Sequence, residues 1–324
     1  MAIRKKIEKK IGGHWEREAL EKIAFSALGE QKIARRWSIF FKFITFFYLF
    51  LILFLAFGAM QKKGGSGNHT ALIEISGVIG EKDEVNAKDF FESIERAYDS
   101  SGTRGIILKI NSPGGSPVQA GMINDEIKRQ KKLHPHIPVY AVVEDICASG
   151  GYYIAVAADE IFVDKASIVG SIGVLMDGFG FTETMKKVGV ERRLMTAGSN
   201  KAILDPFSPI NVKQQAFVQN LLNEIHQQFI EVVKEGRGSR LKESQEMFSG
   251  LFWNGESAVK IGLADGFGNY DFVAREIIKA ESVVDFTTYE SFADRFARKF
   301  GASLGSSMNE SLRTAILNQK LIIK

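Results

Sequence analysis

The chain has 324 residues but a single cysteine, Cys147. No disulfide can close within it, and cysteine usage leaves its redox compartment open. Histidine is almost as scarce, with His14, His69, His134, His136 and His226 the only five. None of them falls in a glycine-rich, strand-end setting, which argues against a Ser-His-Asp triad. No HExxH, CxxC or GxxxxGK[ST] string occurs, so metalloprotease, zinc-site and P-loop readings fail. Gly170 and Gly173 form a lone pair rather than a dinucleotide fingerprint, and the residues call for no cofactor and no metal. Proline is confined as well: all six lie between Pro113 and Pro209.

An excess of positive charge is missing from most of the chain. Residues 1–63 hold 13 of the 42 Lys and Arg but only 5 of the 38 Asp and Glu, so the remainder is net acidic. A nucleic-acid domain would cluster its basic residues on the folded part, and this one does not. What residues 1–63 do have is a long apolar run, Phe43 to Met60, without a charge. Its length suffices to cross a hydrocarbon core of roughly 30 Å. Ile39, Phe40 and Phe41 extend it past Lys42, whose stem can snorkel, and Trp37 stands where an interfacial anchor belongs. A cleaved signal peptide has a short basic region before its apolar stretch, whereas 42 residues precede this one. A buried core helix would seldom be apolar all round. The run therefore predicts one uncleaved transmembrane helix over residues 39–60. Lys and Arg concentrate before it, which places residues 1–38 in the cytoplasm as a basic segment and residues from 64 onward across the membrane. Lys5 to Arg36 reads as a polar helix, solvated or touching lipid headgroups or a partner. Residues 61–69, with Gly64–His69 at their end, read as a flexible linker.

From residue 70 to 285 short apolar strands alternate with helical patterns, the signature of an α/β domain. Strands are predicted over 71–75, 105–110, 139–143, 160–164, 168–174 and 191–197. Helices follow from apolar spacing, as with Phe90, Phe91, Ile94, Ala97 and Tyr98, and one long helix spans 212–236. Residues 111–117 read as a turn cluster. Over residues 286–324 a stripe of Phe292, Phe296, Phe300 and Leu304 predicts an amphipathic helical tail, packed on the core or on a neighbouring subunit. No internal repeat is present.

Two strand-to-turn junctions could carry chemistry. After Ile110 come Asn111, Ser112, Pro113, Gly114 and Gly115, where glycines leave backbone N–H groups uncovered for one half of an oxyanion hole. After Val143 the chain reaches Ala148, Ser149, Gly150 and Gly151 and opens a helix. Ser149 can be an ordinary N-cap or a nucleophile at the positive end of the helix dipole. Cys147 lies on the strand before the turn with no activating cation nearby, and reads as a small buried filler. A lysine can replace histidine as base when desolvation favours its neutral form. Lys201, with Ala202, Ile203, Leu204 and Phe207 around it, is the best candidate.

Taken together, "INSPGGSP", "ASGGYYIAVAADEI", "GSIGV" and "TAGSNKAILDPFSP" resemble the signal peptide peptidase A family, the serine–lysine membrane peptidases (family S49) of the Clp protease/crotonase fold. The resemblance covers roughly residues 70–285. It implies a spiral of ββα units, Ser149 as nucleophile, Lys201 as general base and Ser171 as the serine that orients the lysine. The N–H groups of Gly114 or Gly115 and of Gly150 would form the oxyanion hole. It further implies an endopeptidase degrading hydrophobic peptides, above all remnant signal peptides, without ATP or cofactor. Short members form homo-oligomeric rings whose active sites combine residues of neighbouring subunits. The expected place is the bacterial inner membrane, single-pass, with the catalytic domain extracytoplasmic and in contact with membrane lipid. Three other readings stay in play: a peptidase for one specific membrane protein, an acyl-CoA enzyme on the crotonase fold, and a non-catalytic scaffold.

Overall fold

The computed structural model describes residues 2–60, 67–244 and 246–289. The chain divides into two compact units, residues 1–64 and 65–324. The first contains one helix, α1 (Ala2–Met60), so the expected basic segment and apolar span are continuous. It is long and apolar enough to cross a bilayer, and its described apolar side chains, Leu20 through Leu55, are exposed. The expected tail beyond residue 289 lies outside the described residues.

The second unit is α/β, as the alternation of patterns implies. Its elements run β1 (His69–Ile79), α2 (Ala87–Asp99), β2 (Thr103–Gly115), α3 (Pro117–Leu133), β3 (Val139–Ala148), α4 (Gly150–Ala155), β4 (Glu160–Val163) and β5 (Ile168–Gly170). There follow α5 (Thr182–Lys187), α6 (Val212–Arg237), β6 (Phe252–Asn254), α7 (Gly255–Ile261), β7 (Gly266–Phe267) and β8 (Val283–Asp285). Helix starts are set by local chemistry. Asn86 caps α2 by accepting from Asp89 N–H, and Ser116 caps α3 with Pro117 in its first turn. Phe90, Ile94, Ala97 and Tyr98 of α2 are buried on one face, as their spacing predicts.

The strands form one sheet in the order β6-β5-β3-β2-β1-β8, parallel throughout except for β5 with β6. β3 is the pivot. Its first half, Tyr140 to Val142, pairs with β4, and its last three residues, Ile146 to Ala148, pair with β5. The sheet forks between them. Ile106, Leu108, Ile110, Val139, Ala141 and Cys147 are buried in the main core, each large aliphatic contributing about 1.5–3 kcal/mol. The fork is therefore rigid where it delivers the chain to Ser149.

Four local expectations fail, each for a physical reason; the strand expected over 168–174 stops at Gly170, where Ser171 turns the backbone to φ 52. Residues 111–117 are not a free turn: β2 runs on to Gly115, with register shifts against β1 and β3. Pro113 fits there because a bulge does not need its missing N–H. Residues 191–197 form no strand; the segment is exposed and has no neighbour to supply a ladder. His69 is not linker but the first residue of β1, its ring buried beside Ser100 and Thr103. The rest of the linker, residues 61–66, lies outside the described residues.

Candidate active site

β3 ends at Ala148 and α4 begins at Gly150, so Ser149 is the hinge between them. Its backbone is held at φ 53, ψ −122, a region that L-residues seldom adopt. Two main-chain bonds hold it there: Ser149 N–H donates to Gly170 carbonyl at 2.9 Å, and its own carbonyl accepts from Tyr153 N–H at 3.0 Å. Its side chain makes no capping bond to α4. The hydroxyl at this helix start is not spent on the helix, which weakens the plain-cap reading.

The hydroxyl lies in a cleft of about 540 Å³. Gly115, Gly150, Ser171 and Gly173 line it, with Tyr153, Ile225 and Phe229 as walls. No lysine, histidine, arginine or carboxylate lines it among the described residues. A larger groove of about 1020 Å³ beside Glu144, Asp145, Lys165 and Tyr270 contains none of the candidate site residues.

The glycine arm of the cleft is sorted by its hydrogen bonds. Ser116 N–H donates to Ile79 carbonyl at 2.7 Å, so by strand alternation the preceding N–H, that of Gly115, points away from β1. It faces the Ser149 turn, where a Cβ on Gly150 would stand 3.3 Å from Gly115 N. Gly114 N–H instead donates to Ser112 Oγ at 3.2 Å, and Gly114 does not line the cleft. Gly115 and Gly150 therefore line the cleft, and Gly114 does not. A Cβ at Gly114, whose φ is 104, would stand 2.7 Å from Gly150 N and 2.7 Å from Ser149 Cβ. Glycine is required there so that two backbones can touch.

Ser112 is the residue the sequence did not single out. It is fully buried, and its Oγ donates to Gly77 carbonyl at 2.6 Å while accepting from Gly114. It ties the β1 bulge to the end of β2. The serine stands inside the "NSPGG" string, but nothing in that string tells a tie from a turn residue.

Ser171 also lies in the cleft. It has φ 52, and its N–H donates to Leu251 carbonyl at 2.7 Å, next to β6. His226 of α6 holds the following residue, Nε2 lying 3.1 Å from Ile172 carbonyl. Cys147 is wholly buried in β3, and burial pushes its thiol far above the ordinary value. No thiolate forms there at working pH.

Lys201 is not brought to Ser149 within the chain. It is exposed, on a run of tight turns between α5 and α6, and is not among the cleft residues. The segment around it presents Leu175, Phe179, Val188, Met195 and Ile210 to solvent, a density of exposed apolar side chains beyond that of an ordinary loop. Among the described residues no cluster of His, Cys, Asp and Glu is arranged to hold a metal.

Comparison with known proteins gives these features a context. The family described as Peptidase family S49 matches residues 131–284. A putative protease of Synechocystis is 30% identical over 207 residues, 64% of this chain and 72% of that one. A putative signal peptide peptidase SppA of Enterococcus faecium is 27% identical over 237 residues, 71% of this chain and 68% of that one. A Brucella melitensis protein named Na(+)/H(+) antiporter NhaA is 48% identical over 176 residues. That match covers 54% of this chain, and the chain spans only 24% of that relative's length.

Proposed function

The chain belongs to peptidase family S49, and from that premise we propose that it is a membrane-anchored serine endopeptidase with Ser149 as nucleophile and Lys201 as general base. The observation that carries the reading is the Ser149 turn: a non-glycine residue at positive φ, its hydroxyl unused as a cap, beside two glycines whose N–H groups flank one cleft. Backbone strain of this kind persists only where the surrounding packing over-determines it.

The steps follow from the groups present. The neutral amine of Lys201 takes the Ser149 hydroxyl proton as Oγ attacks the peptide carbonyl carbon. The developing oxyanion is stabilised by the N–H groups of Gly115 and Gly150. The Lys201 ammonium then gives its proton to the departing amine, leaving an acyl ester on Ser149. Water, deprotonated by the same lysine, hydrolyses the ester and restores the enzyme. Ser171, in the cleft, orients the amine.

Lys201 reaches this position from a second copy of the chain. The cleft contains no base of its own, and the Lys201 segment exposes the apolar side chains that an interface would cover. Contact with a partner also removes the lysine from water, which a neutral amine requires. A heterologous contact of this kind builds a ring when the rotation between copies closes. Substrates are hydrophobic peptides in or beside the membrane, and remnant signal peptides fit an apolar cleft walled by Ile225 and Phe229. α1 anchors the enzyme, with its basic N-terminal part on the cytoplasmic side and the peptidase unit extracytoplasmic.

Complementation tests the reading. Ser149→Ala and Lys201→Arg are each expected to be inactive, the second because arginine does not give up its proton. Co-assembled in equal amounts they should recover roughly a quarter of wild-type activity, because half of the copies keep the serine and half of their neighbours keep the lysine. No recovery from assemblies of mixed composition means that the site is not shared between copies. Full activity of Lys201→Arg alone removes the lysine from the mechanism.

A further inference from the structure

The segment that carries Lys201 is folded, yet it borrows almost nothing from the core of the peptidase unit. From Leu175 to Lys201 nearly every residue is exposed. Four consecutive tight turns build the loop: Lys201 N–H bonds to Gly198 carbonyl, Ile203 to Asn200, Asp205 to Ala202 and Ser208 to Asp205, at 3.1–3.3 Å. Leu204 is held among them at φ 55. Such turns are individually weak, so something must fix their sum.

That something is one carboxylate. Arg192 Nη1 contacts both oxygens of Asp205, and Ser208 Oγ donates to Asp205 Oδ2 at 2.5 Å. The Asp205 side chain is only 9% exposed, although the loop around it is open. The Arg192 guanidinium also lies over the Phe207 ring, 5.2 Å from its centroid. Phe207 stacks on Phe181 at 5.4 Å, and Phe181 N–H bonds to Pro206 carbonyl at 2.7 Å. The Arg192 and Ser208 hydrogen bonds hold the Asp205 carboxyl below the usual carboxylate range. Arg192, Asp205, Phe207 and Phe181 thus close a circuit across both sides of the Lys201 loop.

We propose that the Arg192–Asp205 pair is the positioning device of the general base: it fixes the Lys201 loop within its own chain, so that the lysine arrives at another copy's Ser149 already oriented. Neither residue touches the reacting atoms. The inference rests on Lys201 being the base, and it adds which side chains give that base its geometry. An arginine stacked on an aromatic ring suits the task, because its planar guanidinium is held by the ring as well as by the carboxylate.

The test uses the full-length protein in detergent, with Arg192→Gln, Asp205→Asn and the double variant. Readouts are kcat and KM on a fluorogenic apolar peptide, the labelling rate of Ser149 by a fluorophosphonate, and assembly size by light scattering. Each single variant should lose kcat roughly 10- to 100-fold, the loss that misplacement of a catalytic group by about 1 Å brings. KM and assembly size should stay within about twofold. The double variant should be no worse than the poorer single, since one device is removed either way. Singles with wild-type kcat overturn the proposal, as do losses that multiply in the double. A kcat loss that follows dissociation of the assembly also overturns it, because the pair would then be holding an interface. Lys201→Arg is the separating control: if it turns over normally, the base assignment has failed, whatever the ion pair does.

Discussion

Around Ser149 the chain is packed as a core, whereas around Lys201 it is held by a few side chains in solvent. Ala148 and Gly150 are buried, as are Cys147 before them and Val169 and Gly170 on the neighbouring strand. The turn cannot relax without moving β2, β3 and β5 together. The lysine loop depends on one ion pair, one aromatic stack and a run of tight turns. The contrast teaches that the proposed dyad joins two kinds of order. The nucleophile inherits its geometry from the global fold, at a cost in strain. The proposed base sits in a loop with a local fold of its own. Damage on the first side should lower stability and activity together, and damage on the second should lower activity alone.

The sharpest break comes from Ser149→Ala, which should abolish fluorophosphonate labelling and lower turnover about a thousandfold or more. Its melting temperature should not fall, and unchanged turnover would remove Ser149 from the mechanism. Next is Gly114→Ala. Its Cβ would press on Gly150 N and Ser149 Cβ at 2.7 Å from a backbone at φ 104. Displacing one oxyanion donor costs about 10²–10³ in kcat, and here chemical denaturation should show a stability loss as well. A loss of activity without a loss of stability would contradict the picture of a core-built turn.

A change far from either site calibrates the core side. Arg237 is 1% exposed, and its guanidinium makes two bonds to Asp265, at 2.7 and 2.9 Å. Arg237→Met removes the main partner of that carboxylate, leaving Arg240 at 3.3 Å, and should cost about 3 kcal/mol in urea unfolding. Burial alone would raise the Asp265 carboxyl, but the Arg237 hydrogen bonds and charge outweigh it and hold the group below its ordinary value. A depressed carboxylate stabilises above its unfolded-state pKa, and that stability is lost as pH falls through the folded-state value. Asp265→Asn should therefore flatten the acid limb of the stability profile, and an unchanged acid limb would place the effect elsewhere. Smaller still is Ser149→Gly, which relieves the φ 53 strain and should raise stability by about 1 kcal/mol while abolishing activity. Cys147→Ala should change least: about 1 kcal/mol lost on unfolding for a small buried group, with Ser149 labelling intact. Loss of labelling in that variant would revive the cysteine.

Much of the core side was legible from sequence. The alternation of apolar runs predicts the α/β order, and Ser149 stands out because it falls between a buried strand and a glycine pair. Cys147 was read as filler from its place one residue before the turn, and its burial agrees. What escaped was set by contacts far apart in the chain. The extension of β2 through Gly115 depends on a bulge against β1. The role of Ser112 depends on Gly77, 35 residues away. Gly114 and Gly115 look equivalent in sequence, and only the direction of their N–H groups separates them. The expected strand at 191–197 failed for the converse reason: its residues suit a ladder, and the chain offers no neighbour.

The fork in β3 sets a timetable. The Ser149 turn is bonded to Gly170, and the neighbouring Ser171 is bonded to Leu251, beside the β6 strand that pairs with β5. The cleft therefore cannot close until about 100 residues beyond the serine have left the ribosome and docked. A domain whose defining contacts are this distant folds late, as a unit. During synthesis the nascent chain holds a serine with no strained turn around it, and no fixed cleft in which to use it. A chain built this way assembles its cleft late, because the contacts that define it are distant in sequence.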